Sequence, residues 1–220
     1  MKPPAAGNSP TISGVSRESQ FPLFPLGLVA LPGEEVALHI FEERYRVMIE
    51  ECISASREFG IVWLAEDELK PVGCTCAVDR VLERMGDGRF NVLVRGRRPF
   101  RLIEREDSLP YPAGTIEALE DEVELLDAKA TEDAHAAYAT LVEAAIDSQP
   151  EAAQLAGMNA YDMARTIEFG LDAKQELLEL RSENARMRLL ARMLRAALRQ
   201  LELTDRAGER ARSNGKVRFA

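Results

Sequence analysis

The spacing of hydrophobic residues changes near residue 128. Before that point, short apolar runs alternate with polar residues and turn residues, which is the pattern of β-strands. The stretch "VALHI" shows it clearly, because Val36, Leu38 and Ile40 fall on one face of a strand. After that point, apolar residues recur every three or four positions, as in amphipathic helices. Strands followed by helices indicate an α+β protein with two subdomains.

This change in hydrophobic spacing, together with the composition of the two ends, divides the chain into the expected segments. Residues 1–19 are rich in Pro, Ser and Gly, and we expect them to form a flexible leader. Residues 20–127 form the β-rich subdomain, and residues 128–204 form the helical bundle. Residues 205–220 carry an excess of basic side chains without an apolar stripe, so we expect a flexible tail.

The β-rich subdomain contains one predicted helix among several predicted strands. Apolar residues from Phe41 to Ile53 repeat at helical spacing, and acidic residues near the start suit the positive end of the helix dipole. The strand-like stretches on either side of "GDG" predict a hairpin. Residues 115–126 are expected to complete this part as a further strand.

The second half of the chain is predicted to be helical throughout. The apolar stripes predict helices that end near Pro150, cover about 151–157, 160–169 and 173–181, and begin again after Ser182. Leucines of the last helix recur at three- and four-residue steps, which is typical of a bundle core and also of a dimer seam. Packing within the bundle is the preferred interpretation.

The composition disfavours disordered, membrane-spanning and secreted proteins. Hydrophobic residues make up 46%, which is too high for a disordered chain, and no apolar stretch reaches the roughly 18 residues of a membrane span. The formal net charge of −9 disfavours non-specific attraction to nucleic acid or to an anionic membrane. The first residues lack the apolar region of a secretory signal, and three cysteines do not make a disulfide framework. We therefore expect a cytoplasmic protein with reduced thiols.

The sequence contains no recognisable catalytic apparatus. It has no P-loop, no GxGxxG after a strand and no GxSxG. Cys74 and Cys76 lie on one face of a predicted strand, which favours core packing over zinc binding. Cys52 lies on the apolar face of the first helix and is expected to be buried and unreactive. We expect no enzymatic activity, no metal and no cofactor, and an unrecognised hydrolase ranks last.

One basic motif supports an alternative function. The stretch "RGRRPFR" places four arginines around an aromatic ring, a mixture that single-stranded nucleic acid prefers. Nucleic-acid binding would need these side chains to form one continuous positive surface; they are Arg95, Arg97, Arg98 and Arg101. Arginines in an acidic protein more often face solvent and pair with neighbouring carboxylates. Nucleic acid is therefore the less favoured ligand.

The stretch "FPLFPLGLVALPGEEVALHIFEERYRVMI" (residues 21–49) combines a proline-broken apolar strand, an "LPG" turn, a strand and the start of a helix. With "FGIVWLA", "KPVGCTCAVDRVLERMGDGRFNVLVRGRRPFRLIE" and "DAKQELLEL", this order resembles the N-terminal, substrate-binding domain of Lon proteases over about residues 20–203. The resemblance implies a PUA-like β pseudo-barrel with one helix, followed by a C-terminal helical bundle. The prolines would then let a strand bend along the barrel rim and blunt an exposed edge.

The resemblance also implies a function. In Lon proteases this region helps to recognise and hold unfolded or tagged substrates, ahead of an ATPase module and a Ser–Lys protease module. This chain resembles the stand-alone versions of the domain, so we expect a non-catalytic polypeptide-binding module, an adaptor or regulator in protein turnover. An ATP-dependent protease is a candidate partner. Such a module needs an exposed apolar groove, for which the candidate residues are Leu28, Val29, Phe41, Trp63 and Tyr111.

Overall fold

The computed structural model describes residues 17–214, apart from the side chains of residues 205 and 208–214. A six-stranded mixed sheet in the order β2-β5-β4-β3-β1-β6 forms its first half, and an additional pairing between β5 and β6 closes the sheet into a barrel. The elements of this half are β1 (Arg17–Leu26), β2 (Glu35–Ile40), α1 (Glu43–Ala55), β3 (Phe59–Ala65), β4 (Glu68–Arg84), β5 (Phe90–Glu106) and β6 (Ala113–Ala118).

Strand β1 bends so that it can serve two neighbours. Its first half runs antiparallel to β6 and its second half runs parallel to β3. The bend coincides with a register shift between Glu18 and Phe21, where Gln20 adopts a positive φ of 53°. The bend predicted for this proline-rich strand is confirmed. The expectation that its prolines blunt an exposed edge is wrong, because β1 lies between β3 and β6.

Long strands β4 and β5 form the predicted hairpin. The "GDG" turn joins them, and Gly88 in it has a φ of +85°, a conformation that favours glycine. Further along β5, Gly96 lies so close to the loop before β2 that an added Cβ would come within 2.1 Å of the Leu31 carbonyl oxygen. This close approach lets β5 pair with both β2 and β4.

Helices form the second half of the chain. They are α2 (Ala128–Ile146), α3 (Ala152–Ala156), α4 (Ala160–Ala164), α5 (Leu171–Glu179) and α6 (Glu183–Asn214). Helices α2 and α6 run in the same direction, because Asp127 contacts Arg188 while Asp133 contacts Arg195 further along both. The apolar stripe of α6 is buried at Leu190 and Leu194, as packing within a bundle requires.

Two expected boundaries differ from the structure at the ends of the chain. Strand β1 begins at Arg17, within the predicted leader, because this arginine pairs with Glu117 of β6; residues 1–16 lie outside the described part. Helix α6 continues through the predicted tail to Asn214, and residues 215–220 again lie outside the described part. Charged pairs such as Glu202 with Arg206, four residues apart, support the C-terminal end of α6, where the apolar stripe has ended.

The segment after β6 also differs from the prediction. Residues 119–127 form no strand, although residues 115–126 were expected to continue the sheet. Their polar groups bond to the start of the bundle instead: the Glu122 amide donates to the Arg181 carbonyl at 2.7 Å, and the Asn184 side chain donates to the Leu125 carbonyl at 2.8 Å. These hydrogen bonds pair backbone polar groups of the segment without the neighbouring strand that a β-sheet would supply.

A buried arginine holds this segment against the helices. Arg186 is 2% exposed and its guanidinium bonds to the carboxylates of Asp121 and Glu183. It also lies over the ring of Tyr161, with its Cζ atom 4.7 Å from the ring centroid. The guanidinium charge is thus compensated by one carboxylate of the segment and by one of α6.

Contacts between the helices and the barrel fix the two halves to each other. Gln175 of α5 donates to the Val72 carbonyl of β4 at 3.1 Å, and Lys174 pairs with Glu34 at 2.6 Å. Buried apolar residues of both halves belong to one continuous core. The barrel and the helices therefore form one packed unit, which gives surface features of the barrel a rigid support.

Candidate functional site

An apolar groove of about 490 Å³ opens at one end of the barrel. The ends of β1 and β2, the start of α1 and the β3–β4 hairpin form its walls. Leu26, Leu38, Ile40 and Leu69 line it between two aromatic features. One is a buried aromatic floor, and the other is an exposed ring at the rim.

The floor is a stacked pair of rings. Phe24 of β1 and Tyr45 of α1 lie with their ring centroids 4.1 Å apart and their planes 30° apart. Both side chains are buried, and burial raises the pKa of the Tyr45 hydroxyl. The Arg44 guanidinium lies 4.6 Å from the Tyr45 ring centroid and is held there by Glu42 at 2.8 Å. Glu42, Arg44 and Tyr45 are therefore brought together in the groove.

Phe41 forms the rim. Its side chain is 60% exposed although it adjoins the apolar groove. The ring stacks on His39 at a centroid distance of 5.8 Å, and His39 is itself fixed by a 2.7 Å bond between its Nδ1 and the Asn91 side chain. Leu64 lies elsewhere on the lining and is 40% exposed. An exposed, oriented ring beside an apolar groove is a contact surface for an apolar ligand.

The structure separates the predicted peptide-binding residues. Phe41 is the one that lies in the groove. Val29 and Tyr111 are 3% and 5% exposed, so burial in the core removes both from the surface candidates. Leu28 lines a second crevice between barrel and helices, and Trp63 lines a third, more open depression.

Sequence reasoning missed most of the groove. Leu38 and Ile40 were placed on one face of a strand, but the pattern does not tell whether that face meets the core or a groove. Leu64 and Leu69 lie on either side of the tight β3–β4 turn, whose charged residues give no indication of an apolar groove. An apolar residue next to that charged turn was the available signal.

Three of the four arginines of the predicted basic surface lie beside carboxylates. The arginines of "RGRRPFR" lie on strand β5, where Arg95 pairs with Asp79 at 2.8 Å and also with Glu35. Arg97 shares Asp79 at 3.5 Å. Arg98 lies 3.8 Å from Glu58, and Arg101 lies further along the same strand. Carboxylates thus interrupt the positive surface that nucleic-acid binding needs, and that alternative is not favoured.

The cysteines are buried, as expected. Burial raises the pKa of the Cys52 thiol to about 11, which keeps it protonated and unreactive at neutral pH. A hydrogen bond with Cys74, together with burial, raises the pKa of the Cys76 thiol. Among the side chains that the structure describes, no group of three or more His, Cys, Asp or Glu could hold a metal ion. No helix within residues 17–214 is long and apolar enough to cross a membrane.

Known proteins are similar to this chain in sequence and in fold. The Lon protease of Anaeromyxobacter dehalogenans (strain 2CP-C) is 27% identical and Lon protease 2 of Myxococcus xanthus is 25% identical, each over 94% of this chain. The chain spans about a quarter of these relatives, 26% of each. The crystal structure of a Lon N-terminal domain protein from Xanthomonas campestris matches 80% of this chain and 97% of its own, with a TM-score of 0.60 and 23% identity.

A second solved structure shares the fold. The N-terminal domain of the Mycobacterium avium complex Lon protease matches 79% of this chain and 97% of its own, with a TM-score of 0.59 and 20% identity. The family model of the ATP-dependent protease La (LON) substrate-binding domain matches residues 20–196, which include the barrel except for the first residues of β1, and the bundle into α6. The chain therefore belongs to the Lon substrate-binding domain family.

Proposed function

We propose that this protein binds unfolded or tagged polypeptides in the groove beside Phe41, without cleaving them. The observation that carries the proposal is the exposure of the Phe41 ring, 60%, on a rim that is fixed by stacking with His39. Aromatic side chains, phenylalanine among them, are enriched in the cores of protein interfaces. Membership in the Lon substrate-binding domain family supports polypeptide as the ligand.

The groove is suited to segments that lack a fixed shape. Its floor is rigid, because Phe24 and Tyr45 are buried and stacked, so the protein side loses little conformational freedom on binding. Its walls are mainly aliphatic, which favours apolar side chains of any shape over a defined small ligand. Apolar segments of this kind are exposed in unfolded chains and buried in folded ones.

The role in the cell belongs to the same proposal. The protein acts as an adaptor or regulator in protein turnover, and the clients that it holds pass to an ATP-dependent protease. The Lon proteases among its relatives support this destination. Three buried free thiols suit a reducing compartment, and we place the activity in the cytoplasm.

A titration with a matched control tests the binding site. Reduced, carboxymethylated lactalbumin cannot refold, and a fluorescent label on it reports binding by anisotropy. We expect Phe41→Ser to weaken binding at least about tenfold, which corresponds to about 1.4 kcal/mol. Leu82→Ser removes a side chain that is 48% exposed on β4 outside the groove, and we expect it to bind like the wild type. Equal affinity of Phe41→Ser and wild type would overturn the proposal.

A further inference from the structure

We propose that the polypeptide binds as an added β-strand along the free edge of β2, which leads into the groove. This inference rests on the proposed function and specifies how the ligand is held. Strand β2 is the terminal strand of the sheet and pairs with β5 alone within residues 17–214. An unpaired edge offers main-chain donors and acceptors to any extended chain.

The pairing of β2 with β5 shows which backbone amide and carbonyl groups of β2 have no partner in the sheet. The Gly96 amide donates to the Glu34 carbonyl at 2.9 Å, and the register continues without a shift from Glu35↔Arg95 to Ile40↔Phe90. Alternate residues of an antiparallel pair exchange their bonds with the partner strand, so positions 36, 38 and 40 bond to β5. The amide and carbonyl groups of positions 35, 37 and 39 therefore point away from the sheet.

Exposure agrees with this assignment. The residues at those three positions, Glu35, Ala37 and His39, are all exposed. In the part of the chain that the structure describes, no backbone hydrogen bond outside the β2–β5 ladder reaches them. The edges of β-sheets are commonly protected by proline or by charged side chains, especially lysine; β2 contains no proline or lysine, and its one acidic residue, Glu35, is paired with Arg95. The edge is therefore available for pairing.

Two apolar openings lie along the same edge at strand spacing. Val36 lines the crevice of about 400 Å³ between the barrel and the segment after α4, together with Leu28 and Ile167. Leu38 and Ile40 line the groove. A strand advances about 3.3 Å per residue, so a bound chain would pass from one opening to the other within about four residues. Apolar side chains at alternate positions of the ligand would enter both openings.

The charged side chains beside the β2 edge indicate which kind of polypeptide segment can bind there. The charged groups beside the edge are paired: Glu35 with Arg95, Lys174 with Glu34 at 2.6 Å, and Arg44 with Glu42 at 2.8 Å. Along the β2 edge a ligand charge would lose water without gaining a free partner, which favours an uncharged ligand there. Asp67 and Arg105 also line the groove, and their opposite charges give it no net charge. The occupant is an uncharged, extended polypeptide segment with alternating apolar residues, which is the composition of a buried β-strand.

A proline substitution tests strand addition directly. Ala37→Pro removes the outward amide at the middle of the edge, and proline is tolerated on an edge strand where the amide faces solvent. The control Ala37→Val keeps that amide and favours a strand. The probe is a labelled, uncharged heptapeptide, Ser-Val-Thr-Val-Thr-Leu-Ser, titrated by anisotropy. We expect Ala37→Pro to bind it at least about tenfold more weakly than Ala37→Val, which binds like the wild type.

Amide hydrogen exchange of the wild-type protein supplies a second measurement that does not depend on the folding of the variant. The heptapeptide should slow exchange at Ala37 and at its edge neighbours Glu35 and His39. Equal binding by both Ala37 variants, or unchanged exchange at these three amides, overturns strand addition. The loss of binding in Phe41→Ser tests the groove separately, so failure of the strand mode is distinguishable from failure of the proposed function.

Discussion

Phe24 and Tyr45 stack with their ring centroids 4.1 Å apart and join the first strand to the first helix beneath the groove. Phe59 of β3 lies 6.4 Å from Phe24 and extends this aromatic contact into the core. The groove is therefore supported by core packing and not by a flexible loop. A binding surface built in this way is already in its binding shape before a ligand arrives.

Truncating the tyrosine of this pair should destabilise the fold. Tyr45→Ala removes a ring that is 6% exposed, and we expect a loss of about 3–5 kcal/mol in the free energy of unfolding. Tyr45→Phe keeps the ring, and among the described residues the hydroxyl has no hydrogen-bond partner, so we expect a change within about 0.5 kcal/mol. Urea denaturation measures both. Similar stabilities for the two variants would contradict the role of the stack.

Arg186 is expected to be the most sensitive charged residue of the bundle. Arg186→Met leaves the carboxylates of Asp121 and Glu183 without their buried partner; Asp121 is half-exposed and can regain water, so we expect a loss of about 1–3 kcal/mol in the free energy of unfolding. Arg192→Met on the exposed side of the same helix serves as the control, with an expected change within about 0.5 kcal/mol. Thermal and denaturant unfolding should show a larger loss of stability for Arg186→Met than for Arg192→Met. The reverse order would refute the role of Arg186 in holding the segment after β6.

Gly96 is expected to tolerate no side chain. Gly96→Ala would place a Cβ 2.1 Å from the Leu31 carbonyl oxygen, and backbone would have to move; we expect a loss of about 3 kcal/mol, at the upper end for overpacking. Gly86→Ala in the hairpin turn meets no atom within 4 Å and should leave stability within about 0.5 kcal/mol. A Gly96→Ala protein as stable as Gly86→Ala would show that the loop before β2 is not held against β5.

Stability should fall as the pH rises from about 9 to about 11. In the folded state the pKa of Cys52 is raised from 9.0 to about 11, so in this range the folded protein keeps a proton that the unfolded chain has lost. The unfolded state binds fewer protons, and the free energy of unfolding therefore decreases with pH. Cys52→Ala should show a shallower decrease in urea unfolding across this range. A slope unaffected by that substitution would contradict the burial of the thiol.

The buried Tyr111 hydroxyl should extend this decrease in stability to higher pH. The pKa of Tyr111 is raised from 10.0 to about 12, first by burial and then by its hydrogen bond to Glu51 at 2.5 Å. The loss of stability that it causes falls between about pH 10 and pH 12, again because the unfolded chain ionises first. Tyr111→Phe should reduce the decrease above pH 10 but not below it, as measured by the same urea series.

Local patterns predicted most of the fold. The "GDG" hairpin follows from turn chemistry, and the helices after residue 128 follow from their apolar stripes. The segment 119–127 was mistaken for a strand because acidic and apolar residues alternate there as they do in a strand. Its backbone bonds to Arg181 and Asn184, distant in sequence, and local periodicity carries no information about such partners.

The groove could be predicted only in part. Phe41 was recognised as a candidate, but the groove also needs Phe24 and Leu64, which come from different strands and meet only after folding. Neighbours in sequence can have different fates: Leu28 is half-buried beside a crevice and Val29 is in the core. Burial of this kind depends on which elements pack against a residue, which hydrophobicity alone does not specify.

Amide hydrogen exchange of the full chain with and without an excess of reduced, carboxymethylated lactalbumin tests the central claim most directly. It locates the binding surface without a substitution. The account predicts slower exchange in the fragments that cover residues 35–45 and 64–69, around Phe41 and the β3–β4 turn. Unchanged exchange in both fragments, or protection centred on Arg95 to Arg101 instead, would contradict it.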